Sequence, residues 1–279
     1  ATVRQIGELE EAGCEIVRLA VVDTEAAEAI KKIRQHTQLP LIADIHFDYR
    51  LALECIESCI DGLRINPGNI GDRSRVEMIT QRALDKRIPI RIGVNAGSLE
   101  KHLLDRYGGV TAEALVESAL GHIRILESLR FYDIKVSIKA SDVPLMLQAY
   151  RQLSRTVNYP LHLGVTEAGT RYTGTIKSAI GIGTLLAEGI GDTIRVSLTG
   201  PPTEEVRVGF EILKALGLRR KGVEIISCPT CGRCQIDLLP VVEKIEQEVS
   251  SIKTPLKVAI MGCVVNGPGE ARQADVGVA

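Results

Sequence analysis

The sequence predicts an α/β protein in which a parallel (β/α)8 barrel of the TIM type is followed by a small βαβ module. A short β-branched strand, a polar or glycine-rich loop and an amphipathic helix recur from the start of the chain to about residue 217. Alternating strands and helices indicate a parallel sheet with right-handed crossovers. An open, doubly wound sheet is the alternative, but polar residues at the end of nearly every strand favour a barrel.

The barrel region contains seven predicted strands, each followed by a helix. They lie at residues 15–20, 40–45, 62–66, 88–94, 133–139, 160–166 and 193–199. The chain opens inside a predicted helix at 3–12, which in a barrel of eight should follow a strand that precedes residue 1. We therefore expect seven of the eight barrel strands in this chain.

The pattern changes after Gly217 to a single compact βαβ unit. Strands are predicted at 223–227 and 257–261, with a helix at 236–249 between them. The connecting segment 218–222 is short and basic. We therefore predict two domains, a substrate-binding barrel at 1–217 and a module at 218–279.

Composition excludes several classes of protein. With 34 basic and 35 acidic residues the net charge is -1, so no overall field favours nucleic acid or an anionic membrane. The longest apolar run, 258–265, is far shorter than the roughly 20 residues that span a bilayer. The start of the chain lacks the pattern of a leader peptide. These features predict a soluble, cytoplasmic protein.

Four arginines lie within or near the ends of four different predicted strands. They are Arg18, Arg64, Arg91 and Arg195, each flanked by strand hydrophobics. A cation in such surroundings is costly unless it faces a polar cavity or a partner. One such arginine suggests a structural ion pair, whereas four that converge favour an anion with several oxygens, because guanidinium groups match phosphate geometry.

Further polar residues decorate the same strand ends. Asp44 and His46 share one face of their strand, as do Arg195 and Ser197, because side chains alternate with a period of two. Each residue alone could be a cap or a filler, but together they predict the mouth of an active site. The rest of the set comprises Asn66, Asn95, Lys139, Thr166 and Glu167.

The module carries clustered cysteines. Cys228 and Cys231 follow its first strand and Cys263 follows its second, so a right-handed crossover brings the three thiols to one edge. Three thiolates at one point indicate a soft metal, either zinc or an iron-sulfur cluster. Cys234 could complete a four-cysteine structural zinc site. The scattered Cys14, Cys55 and Cys59 suggest small buried hydrophobes.

The segment after Cys263 favours the cluster over zinc. Its Gly-Pro-Gly sequence at 267–269 predicts a sharp turn that returns Glu270 towards the thiols. A hard carboxylate beside soft thiolates would leave one iron weakly held. Such an iron suits catalysis better than electron storage.

Several motifs resemble the 4-hydroxy-3-methylbut-2-enyl diphosphate synthase family over essentially the whole chain. They are ADIHFDYR, LRINPGNIG, IPIRIGVNAGSLEKHL, KVSIKASDV, PLHLGVTEAG, EGIGDTIRVSLT, CPTCGR and GCVVNGPGE. The resemblance implies an iron-sulfur oxidoreductase of the methylerythritol phosphate route to isoprenoids and terpenoids. It implies reductive opening of 2-C-methyl-D-erythritol 2,4-cyclodiphosphate at a 4Fe-4S cluster, with flavodoxin or ferredoxin as electron donor.

Site residues follow from the resemblance, motif by motif. It implies Cys228, Cys231, Cys263 and Glu270 as cluster ligands, with Glu167 and Glu270 as catalytic residues. Lys135 competes with Lys139 as the substrate-binding lysine, because both share one strand and one face. The implied substrate contacts are Arg18, Asp44, His46, Arg64, Asn66, Arg91, Asn95, Lys139, Thr166, Arg195 and Ser197.

This chain departs from the family pattern in two respects, and other functions stay open. The family has a further strand before residue 1 and a segment after residue 279, and its ligand set does not require Cys234. One alternative is a barrel aldolase or lyase with Lys139 as a Schiff base and structural zinc in the module. Another is a phosphate-binding protein without catalysis.

The direction of the chain predicts a homodimer. The last barrel helix, predicted at 203–216, runs away from the strand ends over roughly 21 Å. Segment 218–222 reaches at most about 18 Å when extended, too little to return over the mouth. We therefore expect each module to close the barrel of a partner, a head-to-tail arrangement that the resemblance also implies.

Overall fold

A computed structural model describes residues 1–250, 252–265 and 267–278 and divides the chain into two compact units, Ala1–Ile212 and Leu213–Ala279. Asn266, part of the GCVVNGPGE motif, lies outside the described residues. The helices are α1 (Thr2–Ala12), α2 (Thr24–Arg34), α3 (Tyr49–Glu57), α4 (Arg73–Lys86), α5 (Lys101–Tyr107), α6 (Ala112–Ser128), α7 (Val143–Thr156), α8 (Arg171–Ala187), α9 (Pro202–Ala215), α10 (Leu238–Val249) and α11 (Gly267–Ala271).

The first unit has a strand within each of the seven predicted segments, and all paired strands are parallel. Five strands form one sheet in the order β1 to β5, and β6 pairs with β7. An isolated bridge between Val136 and Leu161 joins the two sheets. The strands are β1 (Val17–Ala20), β2 (Leu41–Asp44), β3 (Gly62–Ile65), β4 (Ile90–Asn95), β5 (Ile134–Lys139), β6 (His162–Leu163) and β7 (Thr193–Ile194).

Local sequence determines where the barrel helices begin. Helices α2, α3, α4 and α7 each start at an aspartate whose side chain accepts a backbone N–H of the first turn, and Thr111 does the same for α6. Each such cap stabilises a helix by about 1 kcal/mol. The aspartates are Asp23, Asp48, Asp72 and Asp142. Asp23, Asp48 and Asp142 lie within a few residues of the preceding strand ends, so these caps help to fix the short loops there.

The barrel core consists of branched aliphatic residues between sheet and helices. Leu41, Leu63, Ile90 and Ile92 are fully buried on the strands. The fully buried Tyr150 on α7 receives a hydrogen bond from the N–H of Ile138 at 2.9 Å and donates towards backbone carbonyls of β5 and β6. This phenol therefore fastens the two sheets together.

The second unit is a three-stranded parallel sheet in the order β10-β9-β8. Its strands are β8 (Val223–Ser227), β9 (Leu256–Ile260) and β10 (Val276–Val278), with α10 between the first two. The predicted βαβ unit is confirmed, and β10 is an additional strand. The expectation of a sharp turn at 267–269 was wrong, since these residues begin the short helix α11. Proline is compatible with a helix start because its missing N–H would have no partner there.

Within the described ranges, no helix is both long and apolar enough to cross a membrane.

Candidate active site and thiol cluster

Three of the predicted arginines, Arg18, Arg64 and Arg91, lie within their strands rather than at the strand ends. Arg18 and Arg91 are each the second residue of their strands, and Arg195 directly follows β7. The register pairs Asp44 with Arg64 and Arg64 with Arg91, which places their side chains on one face of the sheet. The charged layer therefore occupies the middle of the barrel.

Asp44 is the acidic centre of this layer. Its side chain is only 3% exposed and forms ion pairs with Arg18 and, at 3.0 Å, with Arg64. His46 Nε2 lies 3.7 Å from the same carboxylate. Arg64 also donates to the carbonyl of Gly93 at 2.9 Å, and a Cβ at Gly93 would lie 2.7 Å from Arg64 Nε. Glycine at this position therefore makes room for the guanidinium.

Several buried guanidinium nitrogens have no hydrogen-bond partner among the described residues. They are Arg64 Nε, Arg91 Nε and Nη2, and Arg195 Nε. Burial, followed by repulsion from neighbouring arginines, lowers the pKa of Arg18 to about 9 and that of Arg91 to about 10, and burial lowers the pKa of Arg64 to about 10. Clustered guanidinium groups whose N–H donors lack partners among the described residues are suited to a multiply charged anion.

Lys139 belongs to the same electrostatic cluster. Burial, together with the charges of Arg64, Arg195, Arg18 and Arg91, lowers the pKa of its ammonium group to about 6. The pKa of Lys135 is also lowered by burial, but only Arg91 among the arginines contributes, and two aspartates oppose it. The charges around Lys139 therefore favour it over Lys135 as the anion-facing lysine.

A cavity of about 140 Å³ lies between the arginines and the N-terminal ends of the strands. Residues from all seven strands line it, among them Arg18, Arg91, Lys135, His162 and Arg195. His162 was not predicted as a site residue. Its Nδ1 lies 2.8 Å from Thr193 Oγ1, and its Nε2 is buried without a partner in the described part of the chain. Burial lowers the pKa of His162 well below the ordinary value.

The amides predicted at the mouth are fixed by backbone contacts. Asn66 Oδ1 accepts the N–H of Gly93 at 2.9 Å, and Asn95 Oδ1 accepts that of Gly97 at 3.1 Å. Because each amide oxygen accepts a backbone N–H, the NH₂ group of each amide points away from that backbone contact. Lys139 is the register partner of Asn95.

The loops after β6 and β7 hold the remaining predicted residues. Thr166 donates its N–H to Ala140 at 3.1 Å, and the exposed Glu167 has a φ of 53°, which is uncommon for a residue with a side chain. Ser197 is half-buried in the loop after β7, two residues beyond Arg195. Its neighbour Leu198 donates its N–H to Glu205 at 2.8 Å.

Glu205 is a site residue that sequence reasoning missed. Burial raises the pKa of this carboxyl group, while the charges of Arg195 and Arg18 act in the opposite direction. It lies in the first turn of α9. Its position one turn into the helix that follows an arginine-bearing strand was the available signal.

The thiols of the second unit gather at one edge of its sheet. Ser227 pairs with Ile260, so Cys228 and Cys263 leave adjacent strand ends. The charge of Arg233 interacts with Cys231, Cys263 and Cys228, and hydrogen bonds from Arg233 lower the pKa of the Cys231 thiol.

Not every predicted cluster ligand is assembled. Within the described residues, no three histidine, cysteine or acidic side chains are close enough together to form a metal site. Glu270 is exposed on α11. Cys234 Sγ donates to the carbonyl of Ile236 at 3.3 Å and packs against Gly262. Three thiols near one edge of the sheet nevertheless fit an iron-sulfur cluster in donor chemistry.

A barrel lined with arginines, several of whose nitrogens lack a partner among the described residues, in a chain that also carries a thiol-bearing module, defines an anion-binding TIM-barrel enzyme with a candidate metal centre. Residues 1–210 match the GcpE TIM-barrel domain, and residues 224–279 match the GcpE protein C-terminal domain. The chain therefore belongs to the 4-hydroxy-3-methylbut-2-en-1-yl diphosphate synthase family, as its motifs predicted.

Named relatives support this membership. The chain is 64% identical to 4-hydroxy-3-methylbut-2-en-1-yl diphosphate synthase (flavodoxin) of Geobacter sulfurreducens, covering 100% of this chain and 79% of that protein. The enzyme of the same name from Clostridium perfringens is 63% identical, with 100% and 80% covered.

Solved structures with the same fold are more distant in sequence. Dihydropteroate synthase from Stenotrophomonas maltophilia has a TM-score of 0.55 at 11% identity, over 77% of this chain and 85% of that one. Type I 3-dehydroquinate dehydratase from Clostridium difficile has a TM-score of 0.53 at 14% identity, over 77% and 86%. These likenesses concern the fold, and the predicted barrel class is confirmed.

Proposed function

We propose that the protein reductively opens 2-C-methyl-D-erythritol 2,4-cyclodiphosphate to 4-hydroxy-3-methylbut-2-enyl diphosphate in isoprenoid biosynthesis. Two electrons and two protons are taken up and one water is released. One observation carries the proposal: the barrel holds buried guanidinium nitrogens without a hydrogen-bond partner among the described residues, in a chain whose relatives bear that enzyme's name. The relatives' name also supports flavodoxin as the electron donor.

The barrel residues bind and orient the cyclic diphosphate. Free N–H groups of Arg64, Arg91 and Arg195 donate to phosphate oxygens, and Asp44 holds Arg18 and Arg64 in place. Lys139 takes up a proton when the ligand's negative charge arrives, because its pKa of about 6 leaves it largely neutral at pH 7. The remaining predicted substrate contacts are His46, Asn66, Asn95, Thr166 and Ser197.

Glu167 is the proposed catalytic carboxylate of the barrel. Its φ of 53° costs free energy because the residue has a side chain, and backbone strain of this kind clusters at functional sites. We assign it the handling of a proton at the reacting carbon skeleton.

The thiol module holds the redox group in this proposal. Cys228, Cys231, Cys263 and Glu270 would be the ligands of a 4Fe-4S cluster, which supplies electrons one at a time when bound. Arg233 balances the negative charge of the thiolates. All seven cysteines are thiols rather than disulfides, which agrees with the reducing conditions of the cytoplasm. Iron and acid-labile sulfide in anaerobically purified protein test the assignment, and stoichiometric zinc without sulfide would refute it.

The proposed assembly is a homodimer in which each module serves its partner's barrel, with the functional boundary between residues 217 and 218. Subunit exchange between a Cys263→Ala protein and an Arg195→Ala protein tests this arrangement. A mixed dimer then pairs one intact barrel with one intact module from the other chain, so activity should return. Verified heterodimers that stay inactive would contradict the assembly.

A Schiff-base aldolase or lyase is the second candidate, favoured by one observation. The pKa of about 6 makes the Lys139 amine largely neutral at pH 7, as a nucleophile requires. Borohydride would then trap a carbonyl substrate on Lys139 but not in a Lys139→Met protein. The iron-sulfur proposal predicts no such adduct.

A further inference from the structure

A buried histidine on α6 connects two of the loops at the barrel mouth. His122 is 6% exposed, and its Nδ1 accepts the backbone N–H of Gly68 at 3.3 Å. Gly68 lies in the short turn Pro67–Asn69, directly after Asn66. Because Nδ1 accepts, the ring proton resides on Nε2.

The other side of the ring faces the loop after β4. His122 Nε2 lies 3.3 Å from Glu100 Oε1, which also accepts from Ser118 Oγ at 3.1 Å. Ser118 and His122 are one turn apart on α6 and both are buried. Glu100 Oε2 is buried without a hydrogen-bond partner among the described residues, so the proton on Nε2 offsets part of the cost of this carboxylate.

The packing at Gly68 leaves no room for a side chain. A Cβ there would lie 2.8 Å from His122 Cε1, although the φ of Gly68 is not in the positive region that favours glycine. Glycine at position 68 therefore allows the backbone to approach the imidazole of His122 closely. This approach and the hydrogen bond to Nδ1 both fix the same loop.

Both loops carry predicted substrate contacts. Asn66 immediately precedes the turn held by His122, and its Oδ1 accepts from Gly93 on β4. Glu100 is the N-cap of α5, five residues after Asn95, and its carbonyl accepts the N–H of Leu103 at 3.0 Å. The ring therefore spans the two segments that present the asparagine amides.

We propose that His122 is a positioning residue that, with Glu100, clamps the loops after β3 and β4 so that the Asn66 amide meets the bound cyclic diphosphate. This role rests on the proposed function for its ligand, but the clamp itself belongs to the free protein. His122 does not touch the substrate in this arrangement.

The first test compares His122→Phe with Ile123→Val, a packing variant of the neighbouring buried residue on the same helix. Loss of the clamp should weaken binding of 2-C-methyl-D-erythritol 2,4-cyclodiphosphate about tenfold, the effect of one misplaced hydrogen bond to phosphate, measured by calorimetry. Ile123→Val lowers stability through packing and should leave the Kd unchanged. An unchanged Kd in His122→Phe, with binding by the wild type, would overturn the proposal.

A second pair of variants tests the contact itself. Gly68→Ala should also weaken binding about tenfold, because its methyl group displaces the loop from the ring. In a His122→Ala background the clash disappears, so Gly68→Ala should add less than a twofold effect. Equal effects in both backgrounds would contradict the clamp. If the histidine variants do not fold, an unchanged Kd in Gly68→Ala alone overturns it.

Hydrogen exchange of the ligand-free protein separates this inference from the proposed function. His122→Phe should speed exchange at 66–70 and 93–100 relative to Ile123→Val. If the wild type does not bind the cyclodiphosphate, faster exchange at both loops in His122→Phe would support the clamp while refuting the proposed substrate. Unchanged exchange at both loops would overturn the clamp whatever the substrate is.

Discussion

Replacing Arg91 by methionine should separate binding from stability. Two of its guanidinium nitrogens are buried without partners among the described residues, so each can donate to a phosphate oxygen. Two charge-assisted hydrogen bonds of about 1.5–3 kcal/mol each amount to about 3–6 kcal/mol, or a Kd raised about 10²- to 10⁴-fold. Methionine keeps the apolar stem and removes the charge.

The same substitution should not destabilise the ligand-free protein. Burial first, and then the charges of Arg195 and Arg64, lower the pKa of Arg91 to about 10. A lowered pKa means that folding disfavours the charged form throughout the range below about pH 10, at a cost of about 1–3 kcal/mol after allowance for solvent screening. Removing the charge should therefore leave the free energy of unfolding unchanged or raise it.

Calorimetric binding of the cyclodiphosphate and urea unfolding measure the two quantities. The exposed Arg4 on α1, replaced by methionine, is a control that should change neither. If Arg91→Met bound the ligand within threefold of the wild type, or lost several kcal/mol of stability, Arg91 would have a structural partner and the anion site would lie elsewhere.

Three further predictions follow from the site. Ligand binding at pH 7.5 should take up close to one proton at Lys139 and should weaken as pH rises above about 6, because the pKa of the free amine is lowered. Calorimetry in buffers of different ionisation enthalpy should show this proton uptake, and Lys139→Met should abolish it. Glu167→Gly should be about 1 kcal/mol more stable to urea than Glu167→Ala, since glycine adopts positive φ freely, while both lose activity; equal stabilities would disprove backbone strain at this residue. Cys234→Ala should retain its iron and Cys263→Ala should lose it, as iron analysis would show, and the reverse pattern would overturn the ligand assignment.

The sequence predicted strands and helices well because their signals are local. Alternating apolar residues and aspartate caps specify each element within a few positions. The depth of the arginine layer was not predictable in the same way, because it depends on the register that pairs Arg64 with Arg91. Register is a property of neighbouring strands and of the packing between them.

The missed residues share one physical cause. Glu205 accepts the backbone N–H of Leu198, four residues after β7 ends, and His122 on α6 contacts the loops after β3 and β4. Their partners are distant in sequence or belong to the backbone, so no short motif reveals these contacts, and for Glu205 the position in the first turn of α9 was the one signal. The strand β10 was missed because its three residues are too few to show a period.

The surplus of positive charge inside the barrel also bears on how long the protein survives in a cell. A ligand at 100 times its Kd would add about 2.7 kcal/mol to the stability of the folded state, and a phosphorylated metabolite that neutralises this interior is such a ligand. Proteases act on the opened chain, whose population falls about a hundredfold under that stabilisation. Depletion of the metabolite would therefore shorten the protein's half-life, and supply of the metabolite would lengthen it without any change in synthesis.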